Sequence, residues 1–257
     1  MHEPAAHMLA SVEHDGVHDA VAVEEPLEIR VDGEPLAVTM RTPGHDEELA
    51  LGFLVGEGLL DPQAAAPPAG LAEDLAANVV EVRGPLLRRP PSRRFYTTSS
   101  CGVCGKGALE EVAVLAPAAA PGPVLSRERL GSLPDRLLAA QPAFARTGGV
   151  HAAGLFAVDG ALVLAHEDVG RHNALDKVVG SALRAGMLPL HGYVLCVSGR
   201  LSFELVQKAA LAGAPILVGV GAPSSLAVAL AADRGMTLCG FARAGGVNVY
   251  SGPERVA

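Results

Sequence analysis

The chain has 257 residues, 49% of them hydrophobic and only 4% aromatic, with no Trp and a formal net charge of −8. That length supports a large core, built here mainly from Ala, Val and Leu. The negative balance and the lack of a long Lys/Arg run argue against non-specific nucleic-acid binding, and no stretch of about 20 apolar residues reads as a membrane span.

Residues 1–20 hold His2, His7, His14 and His18 at irregular spacing and read as a His-containing disordered tail. The start of the chain lacks the positive-then-apolar order of a secretory signal, so a cytoplasmic protein is expected. Two strand-like runs, 28–31 and 35–40, flank Asp32-Gly33 and predict a β-hairpin. Asp46, Glu47 and Glu48 then place negative charge on the first turn of a helix running through Leu54. Residues 61–70 read as a Pro/Ala-rich loop, and 79–82 and 94–98 as short strands, with Arg88, Arg89, Arg93 and Arg94 on a solvated loop between them. A helix is expected over 106–115, and the Pro-rich stretch 116–123 is the best candidate boundary. The division is therefore a tail at 1–20, an N-terminal region at 21–116, and a main α/β domain at 124–257.

The second half alternates. Ser126 caps a helix with an apolar stripe of Leu130, Leu133, Leu137 and Leu138. A hairpin around Asp159-Gly160 precedes a helix at 173–185. Buried strands at 193–197 and 215–220 each lead into a helix, 202–212 and 224–232, and a last strand at 237–241 leads to a glycine loop and 247–250. This rhythm predicts a sheet that is parallel at its centre, with helices on both faces.

The densest chemical signal is Thr97-Thr98-Ser99-Ser100-Cys101-Gly102-Val103-Cys104-Gly105-Lys106. Hydroxyls and glycines surround two thiols at the mouth of a predicted helix, a setting that lowers a thiol's pKa and exposes its sulfur. A bare CxxC fits half a zinc site, a dithiol redox pair or a sulfur carrier. The other cysteines, Cys196 and Cys239, sit in apolar strand runs and make poor zinc ligands. A zinc deaminase needs H-x-E followed by P-C-x-x-C. The chain has His45-Asp46-Glu47, but Ser100 stands where the proline belongs. A thioredoxin-like pair would sit near a βαβ unit, whereas the strands before Cys101 read as a hairpin and short pieces. No metal site is expected.

Further polar sets follow. Thr147-Gly148-Gly149-Val150-His151 precedes a segment with Asp168, Arg171, His172, Asn173 and Lys177 around one helix start. These can hold an anion or hydrogen-bond a base, or they can be a helix cap with a solvated face. Ser198 and Arg200 occupy a strand-to-helix turn, Ser224 and Ser225 another, and Phe241-Ala242-Arg243-Ala244-Gly245-Gly246 a third turn able to wrap a phosphate-bearing ligand. In open α/β sheets ligands gather at the carboxyl ends of strands, where all three turns fall.

Together these segments resemble the formate dehydrogenase accessory sulfurtransferases, the FdhD family. The resemblance runs from about Glu25 to Arg255 and is carried by SSCGVCGK at 99–106, TGGVHAAGLF at 147–156, HEDVGRHNALDKVVG at 166–180, SGRLSFELVQKAALAGAPIL at 198–217, and the closing FARAGGVNVYSGPER. It implies a three-layer α/β/α fold with a cytidine-deaminase-like mixed sheet and a smaller β-rich N-terminal region, in a cytoplasmic homodimer. It also implies a role: accepting sulfur from a cysteine desulfurase as a persulfide on Cys101, with Cys104 assisting, and passing it to the bis-guanine-dinucleotide form of the molybdenum cofactor for formate dehydrogenase. The family's cofactor loop falls on Phe241, Ala242, Arg243, Ala244, Gly245 and Gly246. His151, Asp168, Arg171, His172, Ser198 and Arg200 are the further expected cofactor contacts. A zinc nucleoside deaminase and a non-catalytic cofactor chaperone are the alternatives.

Overall fold

A computed structural model of the chain describes residues 6–71, 78–88, 95–96 and 116–257. The CxxC loop, the expected helix at 106–115, and Arg89, Arg93 and Arg94 lie outside these residues.

The described chain opens with two successive hairpins. Leu9–His14 (β1) pairs antiparallel with Val17–Ala22 (β2), and Glu25–Val31 (β3) with Glu34–Arg41 (β4). Both turn on Asp-Gly dipeptides whose residues all have positive φ: 49° and 76° at Asp15-Gly16, 49° and 83° at Asp32-Gly33. That conformation suits the right-handed twist of the flanking strands. Much of the segment expected to be a tail is thus the first hairpin. Its strands lack a buried apolar face, which is why hydrophobic alternation did not reveal it. In β3 the alternate residues Leu27, Ile29 and Val31 are buried, and a five-stranded sheet forms in the order β5-β6-β3-β4-β7, where β5 is Ala69–Leu71, β6 Val79–Val82 and β7 Phe95–Tyr96.

Helix α1, Asp46–Gly56, carries its three acidic residues on the first turn as expected and is buried along most of its length. It crosses the later helix Arg171–Arg184 (α4) at very short range. A Cβ on Gly52 would lie 1.8 Å from the carbonyl oxygen of Asp176, and one on Gly180 would lie 1.8 Å from that of Glu48. Two glycines therefore set this helix separation, because any side chain would drive the backbones apart.

The larger sheet has six strands in the order β13-β12-β11-β10-β8-β9. Val194–Val197 (β10), Ile216–Gly219 (β11) and Thr237–Arg243 (β12) are parallel. His151–Phe156 (β8), Leu162–Asp168 (β9) and Gly246–Ser251 (β13) join antiparallel. Strand periodicity splits the sheet residues between two cores. Ala153, Leu155, Leu195, Val197, Leu217 and Leu238 pack toward α4, Phe203–Leu211 (α5) and Ser225–Asp233 (α6). Ala152, Phe156, Cys196, Val218 and Cys239 face Arg127–Leu138 (α2) through Leu130, Leu133 and Leu137. The architecture is the expected α/β/α arrangement with a mixed sheet. The short helix Pro142–Thr147 (α3) was not anticipated. The connector after Ala116 is stitched to the main sheet's periphery: Ala119 N–H donates to Arg234 O, and Arg234 donates to Ala116 O. Among the described residues no helix is long and apolar enough to cross a membrane.

Candidate functional site

The strand directions bring most of the expected polar residues to one sheet edge. β8 is antiparallel to both neighbours, so its first residue, His151, pairs with the last residue of β9, Asp168. The same edge receives the end of β10, where Ser198 Oγ accepts from Ala152 N–H at 2.9 Å and Ser198 N–H donates to Ala152 O. Gly199 follows so closely that a Cβ there would sit 3.4 Å from His151 Nδ1 and 3.9 Å from Arg171 Cδ. His151, Arg171, His172, Ser198 and Arg200 thus form one group around the N-terminus of α4, a helix whose N-cap, Gly170, offers no side-chain cap. Unsatisfied amides at such an end favour an anion.

The members differ in character. Arg171 Nε is buried and has no hydrogen-bond partner among the described residues. Arg200 is exposed. Burial, and then the charges of Arg171 and His172, hold the His151 imidazole below the ordinary histidine value, so at neutral pH it is an uncharged donor and acceptor. His172 is held from α5, with Nε2 2.9 Å from Glu204 Oε2 and 3.1 Å from Ser202 Oγ. That hydrogen bond is the main reason the Glu204 carboxyl stays below its usual value.

Asp168 has a different place. It is fully buried and both oxygens are engaged: Oδ2 with Lys177 Nζ and Thr42 N–H, Oδ1 with Gly170 N–H and the Asn173 side chain. Lys177 Nζ also donates to Thr42 O, and Thr42 Oγ1 accepts from Val169 N–H. This network ties the strand-to-helix turn of the N-terminal region to the start of α4. Asp168 therefore shapes the site from beneath, with no oxygen left over for a ligand.

The segment expected as a loop at 241–246 is mostly strand. Phe241, Ala242 and Arg243 end β12, Ala244-Gly245 makes the turn, and Gly246 opens β13. Phe241 lies at a register shift, with φ 50°, and the residue is 42% exposed. It joins the central group through Gly221, whose carbonyl accepts from Phe241 N–H and whose N–H donates to Gly199 O. Ala242 is buried toward α2, and the hairpin tip rests on that helix: a Cβ on Gly131 would lie 2.6 Å from Arg243 O and 2.7 Å from Gly246 N. Arg127, read only as part of a helix, donates to Val247 O and adds a second arginine beside Arg243. Ser202 and Glu204, read as a helix start, belong to the central group through His172. Their signal was the spacing from Ser198, but only the fold shows which side chain they meet.

Among the described residues, those of the zinc-deaminase alternative have other neighbours. Asp46 makes a two-pronged contact with Arg41, Glu47 pairs with Arg184, and the His45 ring lies tilted against that of His166 with centroids 4.2 Å apart. Among the described residues no group of three or more His, Cys, Asp or Glu side chains is arranged to hold a metal ion.

The chain is thus a mixed α/β/α protein with a cationic, imidazole-bearing sheet edge. The family model described as FdhD/NarQ matches residues 22–257, and the chain belongs to that family. It is 55% identical to the sulfur carrier protein FdhD of Streptomyces coelicolor, over 93% of this chain and 89% of that one, and 49% identical to the sulfur carrier protein FdhD of Mycobacterium tuberculosis, over 93% and 92%. In three dimensions it resembles the crystal structure of a candidate formate dehydrogenase accessory protein from Desulfotalea psychrophila, with TM-score 0.75, 29% identity and 97% of each chain covered.

Proposed function

We propose that the protein is a sulfurtransferase serving formate dehydrogenase: it takes sulfur from a cysteine desulfurase as a persulfide on Cys101 and passes it to the bis-guanine-dinucleotide molybdenum cofactor. The observation that carries this is similarity over 93% of the chain to relatives named as sulfur carriers, in a chain that has an SSCGVCGK segment.

The chemistry follows from thiolate nucleophilicity. Cys101 thiolate attacks the outer sulfur of the donor's persulfide. The donor's S–S bond breaks, its cysteine leaves as a thiolate, and Cys101 carries the persulfide. Cys104 thiolate then attacks the inner Cys101 sulfur, the outer sulfur leaves as sulfide to molybdenum, and a Cys101–Cys104 disulfide remains for a cellular thiol to reduce. The cofactor is the substrate of this step. His151, Arg171, His172, Ser198 and Arg200 receive its guanine and phosphate parts, together with the 241–246 hairpin. Arg171 Nε, without a partner among the described residues, and the open start of α4 supply donors suited to phosphate oxygens. The protein acts in the cytoplasm as a homodimer.

The test is formate dehydrogenase maturation in cells lacking the endogenous protein. Wild type restores activity and Cys101→Ala does not. Restoration by Cys101→Ala would replace sulfur transfer with a carrier role for the cofactor alone.

A further inference from the structure

Among the described residues, His172 is the group of the sheet edge gripped by a carboxylate. Its Nε2 lies 2.9 Å from Glu204 Oε2, with the His172 and Glu204 side chains 19% and 25% exposed, and 3.1 Å from Ser202 Oγ. An ionised carboxylate only accepts hydrogen bonds, so it excludes a bare Nε2 and selects the ring form protonated there. A serine hydroxyl alone selects nothing, because it donates as readily as it accepts. Among the described residues Nδ1 has no hydrogen-bond partner. Glu204 is itself held in a charged surrounding. Lys208, one turn on, lies 2.9 Å from Asp176 and within 3.9 Å of Glu57. Burial disfavours the Lys208 ammonium, but Asp176, Glu57 and Glu204 together more than offset this, so the group is held above the ordinary lysine value. Arg171 and His151 face the pair from α4 and β8.

We propose that Glu204 is a positioning residue: its carboxylate fixes the His172 proton on Nε2 and orients the ring so that Nδ1 is the nitrogen presented to the bound molecule. This rests on the reading of the edge as a guanine-nucleotide site. With both ring nitrogens protonated, Nδ1–H donates to a phosphate oxygen; with the ring neutral, Nδ1 accepts from an N–H. His151 is not held by a carboxylate in this way, so the two imidazoles have different tasks.

The test uses ring-15N-histidine protein, with His172→Gln identifying the signal, and GDP as the probe. In free wild type, His172 in its neutral form shows the Nε2–H tautomer. In Glu204→Ala it becomes a mixture, and GDP binds about tenfold more weakly. Glu204→Gln, whose amide oxygen still accepts, restores most of both. An Nδ1–H tautomer in wild type, or a tautomer unchanged in Glu204→Ala, overturns the proposal; the wild-type measurement needs no variant to fold. If wild type binds no GDP, the nucleotide reading fails, while the tautomer still decides the role of Glu204.

Discussion

Lys177 Nζ lies 2.7 Å from Asp168 Oδ2 in a position where the two side chains are 1% and 0% exposed. One charge justifies the other, and Thr42 from the N-terminal region bonds to both members, through its N–H to Asp168 and its carbonyl to Lys177. Breaking such a pair strands a charge in the core, which costs about 3–5 kcal/mol. Asp168→Asn should therefore lower the urea midpoint by that equivalent, and Asp168→Asn combined with Lys177→Met should recover part of it. A loss under about 1 kcal/mol, in the range of an exposed pair, would show that the couple is not buried.

The crossing of α1 and α4 gives a second prediction. Gly180 leaves no room for a methyl group beside Glu48 O. Gly180→Ala should destabilise the protein by about 3 kcal/mol or more in chemical unfolding, although alanine is the better helix former. A neutral or stabilising result would mean that the helices are further apart than described.

His166 sets a pH dependence. Burial, and then His45 and Lys177, push its pKa down to about 3, while Nε2 keeps a partner in Ser181 Oγ at 2.8 Å. The unfolded chain protonates this group near pH 6.5, so protons favour unfolding between the two values. Its contribution is complete above about pH 6.5 and is lost progressively as the pH falls toward 3. Thermal scans should show the melting temperature of wild type dropping through that window, with a smaller drop in His166→Gln, which keeps a hydrogen-bonding group but does not titrate. Parallel profiles for the two proteins would remove His166 as the cause.

Much of this arrangement was legible in the sequence. Runs such as Val194–Val197 and Ile216–Gly219, each followed by a helix-forming segment, specify parallel strands with crossover helices, and the structure has them within a residue or two. The sheet-edge group was legible because polar residues ended those strands. Three things were not. The Leu9–Ala22 hairpin buries little, so periodicity was silent, although Asp15-Gly16 carried the same turn signal as Asp32-Gly33. The closing hairpin at 241–246 looked like a loop because alanines and glycines mask a strand end that α2 covers. Asp168 looked like a ligand, since only the fold reveals that Lys177 and Thr42 already occupy it.

The central claim is that sulfur travels on Cys101. Cys196 and Cys239 are internal controls: both are buried, and burial pushes both thiols up, Cys239 to about 12. The most direct measurement is to incubate the protein with a cysteine desulfurase and cysteine, and map the added sulfur by peptide mass spectrometry. A mass increase of one sulfur on the Cys101 peptide, absent from Cys101→Ala and absent from the peptides of Cys196 and Cys239, is the predicted result. Full sulfur loading of Cys101→Ala would contradict the account.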